Sequence, residues 1–274
     1  MDYQSSLFLV DTHCHLNFDV FNSDRDQVVE RARKNGITRI LNPGIDIETS
    51  KSAINCAREF PEVYAAVGVH PNECLGWKSR SLAELNRLAI EKKVVAIGEI
   101  GLDYYRNRAP KGTQQSIFRQ QLELAARLNL PVIIHNRDAN DDMLNIIQEW
   151  HHELVRKDSS LMNCPGVMHS FSGDITLAKV LVSLHFKIGI DGPVTYHNSQ
   201  LLQSVVSSLP LESLFIETDA PFLTPQPLRG KRNEPANVRI VAEKISSLKD
   251  EPLDRVITIT TTGADRLFGW REAN

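Results

Sequence analysis

Short apolar runs alternate with longer amphipathic stretches from one end of the chain to the other. The runs Leu7–Val10, Thr38–Leu41, Val63–Val69, Val94–Ile97, Val132–Ile134, Gly166–Met168, Phe186–Ile190 and Leu214–Ile216 have the length and the content of branched residues that suit buried strands. Between them, apolar residues recur at helical spacing. Asp24–Asn35 is followed by Gly36 at the place where helices stop, and Ile47–Phe60 is closed by Pro61. Thr113–Leu128 puts Phe118, Leu122, Ala125 and Ala126 on one face, and Leu82, Leu85 and Leu88 form a similar stripe. About eight such strand–helix units in one chain of this length predict a (β/α)8 TIM barrel, an α/β fold, rather than a doubly wound sheet. No linker, low-complexity tract or repeat interrupts the march, so residues 1–274 are expected to form a single domain.

The residues that end the apolar runs are more informative than the runs themselves. His13 and His15 follow the first. Asn42, His70, Glu99, His135, His169, Asp191 and Asp219 follow later ones, each ahead of a Gly/Pro-rich or charged loop. In a parallel barrel all these strand ends open on one face, where such folds place their chemistry. A lone histidine beside an apolar strand is usually satisfied by a backbone partner. That account would need a separate accident on strand after strand here. Because side chains alternate along a strand, His13 and His15 point the same way and Cys14 points oppositely.

The converging set is His13, His15, Glu99, His135, His169 and Asp219, all imidazoles and carboxylates. Such donors suit zinc, manganese, nickel or magnesium, and the imidazole content favours a transition metal. There are too many ligands for one tetrahedral ion. A carboxylate such as Glu99 can bridge, so two divalent metal ions per chain, about 3.5–4 Å apart, are expected.

Composition narrows the partners. A net charge of −3 argues against a broad basic cradle for nucleic acid while leaving room for a local phosphate pocket. Cys14, Cys56, Cys74 and Cys164 are dispersed with no C-x-x-C pair, Leu7–Val10 is too short for a secretion signal, and no apolar run could span a bilayer. A reduced, cytoplasmic protein with no membrane association is the expectation. Neither G-x-G-x-x-G nor a P-loop motif occurs, so no nucleotide cofactor is expected. Arg106, Arg108 and Lys111 follow the Glu99 run, Arg137 follows the His135 run, and Arg229, Lys231 and Arg232 follow Asp219. Three basic clusters on one face favour an anion, and the arginine fork suits phosphate better than a neutral amide or lactone. Arg108, Arg137, Arg229, Lys231 and Arg232 are the candidate substrate contacts.

These motifs together resemble the TatD family of metal-dependent hydrolases, within the amidohydrolase superfamily. The resemblance rests on DTHCHL (11–16), GVHP (68–71), IGEIGLDYY (97–105), PVIIHNRDA (131–139), GVMHSFSG (166–173) and ETDAPFLTP (217–225) with RGKRNEP (229–235), and covers nearly the whole chain. It implies one metal on His13, His15 and Asp219, a second on His135 and His169, and Glu99 bridging them. It also implies nuclease activity on DNA, often exonucleolytic. Two positions depart from the expected pattern, Ala220 where a serine is common and Leu228 where a histidine is common. Neither is a proposed ligand, and both bear on substrate contacts.

The leading expectation is therefore a deoxyribonuclease acting on strand ends, monomeric, with a water activated between two metals as the nucleophile. Asp219 is the choice for orienting that water and taking its proton. His70 either contacts the phosphate or protonates the leaving oxygen, or else holds a ligand in place. Tyr104 and Tyr105 either stack on a base or pack the barrel rim. Asp11 sits deeper, behind the ligands, and Asn42 and Asp191 are expected to cap the helices that follow them. The rival is a small-molecule hydrolase of the same superfamily, acting on a lactone, amide or phosphoester. A non-catalytic metal-stabilised binding protein is disfavoured because every proposed ligand is intact.

Overall fold

Eight parallel strands follow one another around a single sheet in the order of the sequence. The computed structural model describes residues 8–270. The strands are β1 (Leu9–Asp11), β2 (Ile37–Pro43), β3 (Val63–Val67), β4 (Val94–Asp103), β5 (Val132–Arg137), β6 (Gly166–Met168), β7 (Lys187–Ile190) and β8 (Leu214–Ile216). The helices are α1 (Arg25–Lys34), α2 (Ile47–Glu59), α3 (Ser81–Ala89), α4 (Lys111–Leu128), α5 (Asn140–Arg156), α6 (Ile175–Ser183), α7 (Gln200–Ser208), α8 (Val238–Lys249) and α9 (Leu253–Phe268). The sheet closes on itself beyond β1 and β8. There Thr12 N donates to Ile216 O, Asp219 N to His13 O and His15 N to Ala220 O, at 3.2, 2.9 and 2.8 Å. The TIM barrel expected from the alternating runs is the observed fold.

Strands such as β3, buried along its whole length, have one flank in the barrel and the other under helices, which is why they read as unbroken apolar runs. Val10, Leu41, Ala66, Val95, Ile133, Val167 and Phe215 form a cluster drawn from nearly every strand, a set that can meet only inside the barrel. Leu267, Phe268 and Trp270 at the end of α9 join the same cluster, with the Trp270 ring 4.8 Å from that of Tyr64 near the start of β3. The N-terminal end of the barrel is thus plugged with apolar side chains, and the opposite end is left for polar ones. No helix among the described residues is long and apolar enough to cross a membrane.

Several boundaries moved. Leu7, expected in the first strand, lies outside the described residues, and β1 runs on to Asp11. The largest change is β4, which extends six residues past Ile97 to Asp103. Between Ile97↔Val132 and Ile100↔Ile134 three steps on β4 oppose two on β5, a bulge that keeps the pairing alive through glycines that read as loop. Gly101 is needed there. Its φ of 138° and the closeness of the His135 carbonyl leave no room for a side chain. The caps expected from Asn42 and Asp191 are corrected. Helix α2 is capped by Asp46, whose carboxylate accepts from Thr49 N at 2.7 Å in a reciprocal capping box. Asn42 instead meets the Asn17 N–H at 3.5 Å, and Asp191 accepts from Ser170 Oγ at 2.7 Å. Asn42 lies within β2, and Asp191, although it precedes the short 3-10 turn Gly192–Thr195, makes no side-chain cap bond to it.

Candidate metal centre

The backbone past β1 keeps the alternation of a strand. Cys14 packs into the apolar core, while His13 and His15 face the barrel mouth with their Nε2 atoms 3.2 Å apart. Two ring nitrogens so close suit a shared cation better than each other. His15 Nδ1 lies 3.3 Å from the Pro43 carbonyl, which can only accept, so the ring proton sits there and Nε2 is bare. His13 Nδ1 is buried and makes no hydrogen bond.

Glu99, turned inward beside the β4 bulge, divides its two oxygens between two groups of histidines. Oε2 lies 3.5 Å from His13 Nε2 and 3.6 Å from His15 Nε2. Oε1 lies 3.0 Å from His135 Nδ1, 3.5 Å from His70 Nε2 and 3.9 Å from His169 Nε2. Asp219 Oδ1 completes the enclosure at 3.6–3.8 Å from His15, His169 and His13. Asp219 itself has φ 54°, a left-handed conformation that aspartate adopts more readily than most residues. All six ligands expected from the sequence are brought together. Their donor atoms form overlapping groups that could hold a metal, His13 with His15 and Asp219, and His13 with Glu99 and His169. His70, with Glu99 and His135, makes a third.

The hydrogen bonds behind the ligands decide which nitrogen faces inward. His169 Nδ1 bonds Glu217 Oε1 at 2.9 Å, leaving Nε2 for the centre. His135 Nε2 bonds Asp103 Oδ2 at 3.3 Å, leaving Nδ1 for Glu99. This is the carboxylate–histidine pairing that orients metal-binding imidazoles. His70 is different. Its Nδ1 accepts the Asn72 N–H at 3.0 Å, so the neutral ring carries its proton on Nε2 and turns a donor, not a lone pair, towards Glu99. Asp11 sits behind the first pair, accepting from Thr218 N and Oγ1 at 2.9 and 2.6 Å and tying β1 to the turn before Asp219. Sequence reasoning assigned no role to Glu217 or Asp103. Each stands close in sequence to a named ligand, yet its partner comes from another strand.

Electrostatics follow from this crowding. Burial pushes His15 and His70 down to about 3, so both rings are neutral at pH 7. Burial lowers His13 too, reinforced by His169. Burial works against a charged His169 as well, but Glu217 outweighs it and raises the ring to about 10. The two central carboxylates part ways. Burial opposes ionisation of Glu99, yet the surrounding histidines, His70 foremost, hold it well below the usual carboxylate range. Burial drives Asp219 well above that range. The donor set, with the bare Nε2 of His15 turned inward, fits divalent cations.

The basic residues are placed less uniformly. The Arg137 guanidinium lies over the Tyr105 ring at 3.8 Å, and Tyr105 is 63% exposed. Arg229 covers Tyr196 at 4.4 Å, Lys231 is exposed, and Arg108 is exposed with Glu73 3.8 Å away. Arg232 is bound up within the protein. It meets Asp24 at 2.6 Å, Glu234 at 3.1 Å and the Val20 carbonyl at 2.7 Å. Tyr104 belongs to the rim, its hydroxyl donating to Asp142 at 2.7 Å.

A barrel that aims imidazoles and carboxylates from the ends of six strands at one spot is built for metal-dependent hydrolysis. The chain belongs to the TatD family, whose model, described as TatD related DNase, matches residues 10–269. It is 42% identical over 260 residues to the uncharacterized metal-dependent hydrolase YabD of Bacillus subtilis, covering 95% of this chain and 98% of that one. It is 34% identical to the 3'-5' ssDNA/RNA exonuclease TatD of Escherichia fergusonii, over 95% and 99% of the two chains. The crystal structure of the TatD homolog YjjV of Escherichia coli superposes with a TM-score of 0.88 at 32% identity, covering 96% of this chain and 99% of that one.

Proposed function

We propose that this metal-dependent hydrolase cleaves phosphodiester bonds at the ends of single DNA strands, using two divalent cations per chain. The observation that carries the proposal is the division of Glu99, one oxygen facing His13 and His15 and the other facing His135 and His169. His13, His15 and Asp219 would hold one cation and His135 and His169 the other, with Glu99 between them. When bound, such a pair supplies a nucleophile from water near neutral pH and draws charge from the scissile phosphoryl group.

The chain's own residues do the rest. Asp219 orients the water and takes its proton. His70 presents a neutral Nε2–H to a phosphate oxygen, its ring fixed by the Asn72 N–H. Arg137, Arg108, Arg229 and Lys231 gather the phosphates of the strand. Arg232 anchors the loop after β8 through Asp24 and Glu234 instead of reaching the substrate. The relative named as a 3'-5' ssDNA/RNA exonuclease supports a nucleic acid substrate. Four free cysteines support a reducing, cytoplasmic setting, and we take the working unit to be a monomer.

The test is release of nucleotides from 3′- and 5′-labelled single-stranded DNA by metal-stripped protein, with zinc, manganese and magnesium added separately. Laddering from one end that needs metal and disappears in Asp219→Ala is expected. Stoichiometric metal binding with intact DNA would refute the nuclease reading and direct the search to lactones and small phosphoesters.

A further inference from the structure

Beside the metal centre lies a recess of about 710 Å³, walled by Phe18, Val20, Pro221 and Phe222, with Asp19, Glu48 and the internally paired Arg232 also in its lining. Its two aromatic walls both belong to the site. The Phe18 ring stacks on His15 with centroids 4.5 Å apart and planes 15° from parallel. The Phe222 ring stands 6.3 Å from both rings, turned 69° to His15 and 75° to Phe18. The three rings make a right-angled corner whose inner edge is a metal-ligating histidine. Phe222 is 51% exposed and Val20 49%, an apolar surface left open next to a highly polar centre. The polar lining includes Asn17, itself buried, whose amide nitrogen donates to Thr49 O at 3.1 Å.

We propose that this recess takes the unpaired nucleobase of the nucleotide next to the scissile phosphate, with Phe222 as the stacking face. The proposal rests on the phosphodiesterase reading and adds which part of the substrate the chain grips besides phosphate. The corner shape decides for an unpaired base. A base within a duplex has its faces covered by neighbours and its edge by a partner, and cannot enter a pocket walled on two sides. Aromatic stacking tolerates any base, because every base has a π face, so single-strandedness and not sequence is what the recess selects. The mainly apolar walls, with the Asp19 and Glu48 carboxylates in the lining, do not suit a phosphate.

Two measurements test it. In the first, the metal-loaded chain acts on single strands whose terminal nucleotide carries a base or is abasic. Phe222→Ala is expected to raise KM about tenfold on the base-bearing end, with Phe222→Tyr restoring it. On the abasic end the difference between wild type and variant should vanish. An equal loss on both ends, or on neither, would overturn the proposal. In the second, metal-free protein is titrated with dAMP and with deoxyribose 5-phosphate. The expected result is dAMP binding about tenfold weaker to Phe222→Ala than to wild type, with the sugar phosphate unaffected. Indifference of dAMP to Phe222 sinks the recess whatever the activity. Discrimination of dAMP by an enzyme that leaves all DNA intact would instead sink the nuclease reading and leave the recess standing.

Discussion

Glu217 does for His169 what Asp103 does for His135, holding one ring nitrogen so that the other faces the metal centre. The pairing has a measurable consequence. Glu217 keeps His169 protonated at pH 7, since its ring titrates at about 10 in the metal-free protein against 6.5 when unperturbed. A cation that takes His169 Nε2 must expel that proton, so metal binding at pH 7 should release at least one proton and tighten as pH rises towards 10. Calorimetry in two buffers of different ionisation enthalpy reads the release directly. Glu217→Gln should weaken metal binding about 10–100-fold and reduce the release. Unchanged affinity in that variant would show that Glu217 does not orient His169. The sequence makes the ligands visible because each ends an apolar run, and it hides their supports. His169 and Glu217 are 48 residues apart, His135 and Asp103 are 32, and only the closed barrel shows which carboxylate meets which ring.

At the level of elements, branched apolar content marks where the strands lie but not where they end. Residues 98–103 contain two glycines and two acidic residues, a loop-like composition, yet the bulge opposite β5 carries the ladder through them. The acidic residues are Glu99 and the His135 partner Asp103, so this stretch is the one that matters most to the site. Strand β7 shows the same dependence on a missing side chain. A Cβ at Gly189 would stand 2.6 Å from Glu217 Oε2, so the neighbouring strand is kept bare to let that carboxylate lie flat against the barrel wall. Gly189→Ala is expected to cost about 1–3 kcal/mol in urea unfolding of the metal-free protein, and to weaken metal binding in parallel with Glu217→Gln. Loss of stability with metal affinity intact would mean that Glu217 has room to move.

Across the whole molecule, stability and chemistry occupy opposite ends of one barrel. Counting eight strand–helix units was enough to expect the closed sheet, because the number of strands sets the barrel. The plug formed by the end of α9 is not legible in the sequence, since Trp270 meets Tyr64 and Phe268 meets Phe215 only once the barrel is closed. Phe268, 4% exposed, should cost about 3–5 kcal/mol when replaced by alanine, with metal affinity unaltered in the folded fraction. A parallel fall in metal affinity would show that the two ends are coupled. At the polar end, the account stands or falls on Glu99, whose two oxygens serve two sets of histidines drawn from β1, β5 and β6. The decisive measurement is the number of zinc or manganese ions bound per chain at equilibrium, by dialysis and elemental analysis, in wild type and in Glu99→Gln. Two ions in the wild type, with both weakened together by the substitution, is the predicted result. One ion per chain, or two whose affinities ignore the loss of Glu99, would contradict the bridged centre.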